Sequence, residues 1–169
     1  MQKREKISSG EKMLLSKQVT QRNDQQVFFS FLKYADAYNL FEPEKKTPLD
    51  KIDSALLITG IASPEGLRND LESKIKNVHH LKFKDHHSFT QRDLKMIAEK
   101  FRAIPSSSKI VLTTEKDGVR FLPFRNFFMS QQLEITCMPV EVQFSAGEEE
   151  KFDSLVVDFA KKKLAESIS

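Results

Sequence analysis

Residues 55–59 (Ala-Leu-Leu-Ile-Thr) form a short apolar run that stays apolar until its last position. A half-exposed strand alternates apolar with polar residues, whereas an unbroken run of this length is the pattern of a strand covered on both faces. Residues 79–83 and 109–113 read as two further strands. Helical patterns lie between them. Leu67, Leu71 and Ile75 mark the inner face of one helix, opened by Ser63 as N-cap with Pro64 at the first helical position and Glu65 in the first turn. A second runs from Thr90 to Phe101 with Leu94, Ile97, Ala98 and Phe101 inward; Thr90 followed by Asp93 is a usual helix opening, and Pro105 with three serines ends it. Strand and helix in alternation predict an α/β fold, a mainly parallel sheet with helices on both faces, preceded by a helix and a linker strand.

The flanks are less regular. Lys3, Arg4, Lys6, Lys12, Lys17 and Arg22 make the opening segment basic, diluted by Glu5 and Glu11. Ser8 or Ser9 can cap a helix running through Met13, Leu14 and Leu15 to about Val19. No buried strand precedes this helix, so the chain reads as if it began inside a larger protein. Residues 26–34, with Phe28, Phe29, Phe31 and Leu32, are expected as a strand. Residues 42–48 hold two prolines and several charges and read as a loop. Residues 133–144 form a longer strand-like run interrupted by Pro139, at an edge or a bulge. Residues 147–164 read as an amphipathic helix with Phe152, Leu155, Val156 and Phe159 inward and Lys161 to Lys163 at its C-terminal end. The resulting division is residues 1–50, a helix and linker strand continuing from a missing domain, and residues 51–169, an α/β domain.

Composition narrows the function classes. A length of 169 residues, 39% hydrophobic and 30% charged, suits a soluble domain with a real core. Fourteen Phe against two Tyr and no Trp indicate buried aromatic packing more than a base-stacking surface, and a net charge of +3 is too small to argue for nucleic acid. The single Cys137 excludes an intrachain disulfide and sits in an apolar run, as a small hydrophobe in a reducing compartment. No apolar run approaches the roughly 18 residues of a spanning helix, and the polar, charged N-terminus has no signal-peptide pattern. A cytoplasmic location follows as the expectation.

In parallel sheets, ligands bind beyond the carboxyl ends of the strands. Three segments leave strands on that side: residues 60–66, 84–88 and 113–118. The second holds Asp85, His86 and His87. Such a set supports proton transfer, metal ligation or loop packing. The four histidines assign no metal site, because the His79–His80 and His86–His87 pairs lie at opposite ends of a strand and no Cys is near. The Asp-His-His triplet matches phosphoesterases named for that motif, but those need upstream aspartate clusters; Asp24, Asp36, Asp50 and Asp53 are only scattered. Residues 60–66 lack the Gly-Lys-Ser/Thr ending of a phosphate-binding P-loop. Within Thr113, Thr114, Glu115, Lys116 and Asp117, Lys116 can pair with a phosphate or with a neighbouring acid, or the segment is a strand end with a capping threonine. Phe121, Phe124, Phe127 and Phe128, interleaved with Arg120 and Arg125, suit core packing beneath a loop, with lipid contact as the alternative.

As an ordered set these segments are more specific than any one of them. Ile58-Thr59-Gly60-Ile61-Ala62-Ser63-Pro64, then Phe83-Lys84-Asp85-His86-His87-Ser88-Phe89-Thr90 with Asp93-Leu94, then Leu112-Thr113-Thr114-Glu115-Lys116-Asp117-Gly118-Val119-Arg120 resemble the C-terminal half of tetraacyldisaccharide 4'-kinases. The resemblance runs from about Asp24 onward; Gly118 and Arg120 stand where that family usually has Ala and Lys. It implies a kinase using ATP and Mg2+ to phosphorylate the tetraacyldisaccharide 1-phosphate precursor of lipid A at the cytoplasmic face of the bacterial inner membrane. The family's Walker A sequence and catalytic aspartate belong to an N-terminal half that this chain lacks, so ATP and Mg2+ would be held mainly there and this chain alone would be inactive. The resemblance carries one catalytic role, to His86, which would pair with that aspartate and assist deprotonation of the sugar hydroxyl. Asp85 would orient the loop or the imidazole. For Thr113 to Asp117 it supplies a recurring motif and a candidate cofactor-binding loop without an assigned role. The rivals are a non-catalytic α/β binding module and a metal-dependent phosphoesterase.

Overall fold

The computed structural model describes residues 7–19, 22 and 25–168; the charges at Lys3, Arg4, Glu5 and Lys6, and Asp24, lie outside them. The elements in chain order are α1 (Ser9–Val19), β1 (Ser30–Tyr34), β2 (Tyr38–Asn39), β3 (Glu42–Lys46), β4 (Ser54–Thr59), α2 (Glu65–Glu72), β5 (Asn77–Lys82), α3 (Gln91–Ala103), β6 (Lys109–Thr114), α4 (Glu115–Phe121), α5 (Arg125–Ser130), β7 (Ile135–Met138), β8 (Val140–Phe144) and α6 (Glu149–Ile168). They form two compact units: Tyr34–Val140, and Met1–Lys33 together with Glu141–Ser169. This division differs from a boundary at residue 50. The small strands β2 and β3 join the α/β sheet, and the C-terminal helix belongs with the N-terminal one.

The larger unit is a six-stranded sheet in the order β3-β2-β7-β6-β4-β5. The four strands β7, β6, β4 and β5 run parallel, and β2 is antiparallel to both its neighbours. Every residue of β4 is buried, as the unbroken apolar run requires. Its alternating side chains serve two cores. Ala55 and Leu57 pack with Leu67 and Leu71 of α2, with Ile75, and with Leu112 and Met138. Leu56 and Ile58 face Leu94, Ile97 and Ala98 of α3 together with Phe121, Phe128, Ile135 and Cys137. Helices therefore cover both faces, and each fully buried Leu, Ile or Phe contributes about 1.5–3 kcal/mol.

Several local expectations change. Residues 42–46 are strand β3 instead of a loop. It is one edge strand of the sheet with each of its residues exposed, where Pro43 costs little and charges discourage further pairing. Helix α2 starts one residue later than its sequence suggests, with Pro64 at the cap and no side-chain cap bond, so Ser63 does not cap it. The run through Pro139 is broken there into β7 and β8, which belong to different sheets. The expected loop after β6 is helix α4, capped by Thr114. Gly118 lies inside it because a Cβ there would sit 2.6 Å from Sγ of Cys137. Phe121 and Phe128 are fully buried, and Phe124 and Phe127 pack against that core.

In the smaller unit, Ser8 caps α1: its hydroxyl accepts from the Glu11 N–H at 3.2 Å while the Glu11 carboxylate accepts from the Ser8 N–H at 3.0 Å. β1 pairs with β8, and only the second half of the expected strand over 26–34 is regular. On α6, Phe152 packs against Phe28 and Phe144, with ring centroids 5.4 and 4.8 Å away. Leu155, Val156 and Phe159 are not inward: they are 43%, 49% and 62% exposed. An amphipathic pattern marks a face without supplying its cover. The helix also runs on to Ile168, so Lys161 to Lys163 precede its last turn.

Candidate active site

The carboxyl ends of β4, β5 and β6 converge as parallel topology requires, and backbone hydrogen bonds fix the convergence. The Phe83 N–H donates to the Thr59 carbonyl at 2.7 Å, and the His86 N–H to the Gly60 carbonyl at 3.2 Å. The Gly60 N–H in turn donates to Oδ2 of Asp117 at 2.8 Å. Gly60 suits this close approach, since a Cβ would lie 3.2 Å from both the Asp117 carboxylate and the Lys84 carbonyl, which would have to yield by a few tenths of an ångström.

Asp117 is fully buried and its oxygens are engaged. Oδ2 also accepts from the Thr114 hydroxyl at 3.0 Å, and Oδ1 accepts from Nη1 of Arg120 at 2.8 Å. This buried carboxylate ties β4 to the first turn of α4, and it meets the rule that a buried charge needs a partner and hydrogen bonds. Thr113 is buried too, its hydroxyl donating to the Ile58 carbonyl at 3.0 Å. Lys116 reaches Oδ1 of Asp85 at 3.0 Å. That hydrogen bond, against a smaller contrary effect of burial, holds the Asp85 carboxyl below its ordinary range. Glu115 accepts from the Tyr38 hydroxyl at 2.9 Å.

The two adjacent histidines have different environments. The His87 ring stacks on Phe83 (4.6 Å between centroids), meets Phe89 edge-on at 5.2 Å, and places Nε2 3.0 Å from Oδ2 of Asp93. Asp93 also closes a capping box with Thr90, accepting from its N–H at 2.8 Å. Burial works against ionising Asp93, but the hydrogen bonds from Thr90 and His87 outweigh it and hold its carboxyl below the usual range. His87 is therefore packed and partnered.

His86 is presented. Its backbone is left-handed (φ +58), an uncommon conformation outside glycine and one that marks a constrained position. Its side chain is 72% exposed, against 28% for His87. Nη2 of Arg120 lies 3.2 Å from its Nδ1, and Oδ2 of Asp85 lies 3.7 Å from its Nε2. The sequence-derived residues Asp85, His86, Lys116 and Asp117 thus share one site, with Thr113 and Thr114 beneath it and Glu115 turned to Tyr38. His79 and His80 lie along β5, away from this loop; Nε2 of His80 is 2.8 Å from the Thr59 hydroxyl. Sequence reasoning had set Gly60 on the ligand side of the sheet and Arg120 in a recurring motif, but had given neither a role in the site. The Asp117–Arg120 spacing of three was the available signal, but it points to a contact only once the segment is seen as helical. Among the described residues, no three His, Cys, Asp or Glu side chains gather as a metal-ligand set.

The family model for Tetraacyldisaccharide-1-P 4'-kinase matches residues 4–160. A tetraacyldisaccharide 4'-kinase of Phocaeicola vulgatus is 36% identical over 154 residues, 88% of this chain and 42% of the relative. One from Bacteroides fragilis is 31% identical over 144 residues, 82% of this chain and 38% of the relative. A crystal structure of LpxK from Aquifex aeolicus in complex with ATP aligns with a TM-score of 0.45 at 19% identity, covering 81% of this chain and 37% of that one. The chain spans about two fifths of the length of the curated relatives it matches. With nearly its whole length matched by the family model, the chain belongs to the tetraacyldisaccharide 4'-kinase family.

Proposed function

We infer that this chain forms the C-terminal part of a kinase that transfers the γ-phosphate of ATP to the 4'-hydroxyl of tetraacyldisaccharide 1-phosphate, in lipid A biosynthesis. Family membership and the order of the three site segments support this reading. The observation that carries it is His86, held on a left-handed backbone at the carboxyl ends of three parallel strands with its imidazole exposed. A constrained, exposed titratable side chain at that edge of an α/β sheet is placed to meet a ligand.

In the reaction, the 4'-hydroxyl oxygen bonds to the γ-phosphorus, the bond from that phosphorus to the β–γ bridging oxygen breaks, and the hydroxyl proton passes to an acid–base group. ATP and Mg2+ supply the phosphoryl group and its charge neutralisation. They would be held mainly by the portion of the longer relatives that this chain does not span: this chain has no Gly-Lys-Ser/Thr motif, and Lys116 and Arg120 already serve Asp85 and Asp117. The part taken by this chain's own residues is narrower. His86 assists removal of the hydroxyl proton by hydrogen-bonding a carboxylate of the other portion. Asp85 fixes the loop, its Oδ1 accepting from the His86 N–H at 3.0 Å. Closure of the two portions would complete the site and exclude water.

No helix among the described residues is long and apolar enough to cross a membrane. On the kinase reading, the intact enzyme works at the cytoplasmic face of the inner membrane, where such a lipid substrate would be met. The test compares this chain alone with a chimera in which the remaining N-terminal portion of the Phocaeicola vulgatus relative precedes it. The isolated chain should leave the disaccharide lipid unphosphorylated, and the chimera should transfer phosphate from ATP. Transfer by the isolated chain, or an inactive but folded chimera, contradicts this reading.

A further inference from the structure

Arg120 joins the most buried charge of the site to its most exposed titratable side chain. Its Nη1 donates to Asp117, which has no exposed surface, and its Nη2 reaches Nδ1 of His86 at 3.2 Å. The Arg120 side chain is itself only 24% exposed, and Asp117 is fixed from two other sides by Gly60 and Thr114. A planar fork anchored at one tine in this way has little freedom at the other, unlike a flexible ammonium.

The contact also has a chemical consequence. A guanidinium only donates hydrogen bonds, so the Nδ1 it addresses must accept. A neutral imidazole accepting at Nδ1 carries its proton on Nε2. We propose that Arg120 is a positioning residue for His86: it sets the imidazole's rotamer and holds it in the Nε2–H tautomer, so that the ring offers a hydrogen-bond donor, not a lone pair, at its free nitrogen. The ligand class that fits such a donor is an anionic oxygen, a carboxylate or a phosphate. His86 then works by orienting an acceptor, and the terminal proton acceptor lies elsewhere.

Three other observations agree with this arrangement. The His86 N–H is held by the Gly60 carbonyl and by Asp85, so the backbone beneath the ring is fixed independently of Arg120. The carboxylate of Asp85 stands 3.7 Å from Nε2, on the side where a proton is favoured. Lys116 occupies the other oxygen of that carboxylate at 3.0 Å, which keeps Asp85 turned towards the ring without a close bond to it. Arg120 is thus the direct side-chain contact at Nδ1.

The catalytic consequence rests on the kinase reading of His86, whereas the positioning itself does not, and the test separates them. Imidazole nitrogen NMR on this chain should show His86 protonated at Nε2 and accepting at Nδ1. In Arg120→Met the Nδ1 resonance should move to the position of an unbonded nitrogen, with His87 and His80 unchanged. Arg120→Lys keeps the charge beside Asp117 but lacks the second tine; it should show the same His86 shift with the thermal midpoint near that of the parent, which covers the case of a poorly folded methionine variant. In the chimera, Arg120→Met should lower kcat about 10- to 100-fold with little change in KM. It should have no further effect when His86 is already Asn, whereas a structural role costs the same in both backgrounds. A His86 ring unchanged in both Arg120 variants, or protonated at Nδ1 in the parent, overturns the proposal. A ring that moves as predicted while His86→Asn keeps full activity upholds the positioning and overturns the catalytic reading of His86.

Discussion

The carboxylate of Asp117, at the start of α4, accepts a hydrogen bond from the backbone N–H of Gly60 at 2.8 Å, across 57 residues of sequence. This contact locks the loop after β4 to the helix after β6. It also stations Arg120 beneath His86. The cost of removing it follows from what would be left unpaired: a buried N–H, a buried hydroxyl and a guanidinium. Asp117→Ala should lower stability by about 3–5 kcal/mol, the range for breaking a buried pair at one partner. Asp117→Asn keeps the shape and one acceptor and should cost about 1–3 kcal/mol. Urea unfolding measures both; a loss under about 1 kcal/mol for the alanine variant contradicts the assignment.

Gly118 and Cys137 form a matched pair. Alanine in a helix interior ordinarily gains up to about 1 kcal/mol over glycine. Here its Cβ would meet Sγ of Cys137 at 2.6 Å and Cδ1 of Leu40 at 3.3 Å. Overpacking of this kind costs about 1–3 kcal/mol, so Gly118→Ala should destabilise by thermal melting. Adding Cys137→Ala should recover most of the loss, a non-additive result that separately measured single variants would not give. Burial pushes the Cys137 thiol up to about 12, so it should also resist thiol reagents until the fold opens.

The capping box of α3 predicts a pH response. Asp93 is held below its ordinary range, so its carboxylate adds stability above the unfolded value near about 3.9, and that contribution is lost as pH falls through the folded value. Asp93→Asn should therefore reduce stability at neutral pH and flatten its decline in acid. Thr90→Ala, which removes the cap itself, should cost about 1 kcal/mol. Acid titration followed by circular dichroism checks both; parallel acid-loss curves for the parent and Asp93→Asn would exclude the linkage.

The parts of this fold legible in the sequence are those where one residue pattern admits one environment. The run over 55–59 has the pattern of a doubly covered strand, and β4 is buried throughout. Thr90 and Asp93 at a spacing of three announced a helix opening, which the side chains complete as a capping box. The opposite cases share a cause: the deciding partner is far away in the chain. Pro43 and its charged neighbours look like a loop until β2 is beside them. Gly118 reads as the end of a loop and a departure from the family's usual Ala until Cys137 is seen against it. The α6 stripe reads as inward because periodicity cannot say what covers it. At the site, the acid and the two histidines were evident as letters and the resemblance singled out His86, but the physical difference between the rings emerged only once Phe83, Phe89 and Asp93 closed around His87 and Arg120, 34 residues on, met His86.

The most direct test of the account is kcat for 4'-phosphorylation in the chimera and in its His86→Asn variant. Asparagine tolerates the left-handed backbone and keeps an acceptor for Arg120, so the fold and the bracket should survive. The account predicts a fall in kcat of roughly 10²-fold or more with KM nearly unchanged, the signature of an interaction made in the transition state. Parental kcat in a folded His86→Asn enzyme would contradict it and leave the loop a structural feature of the domain.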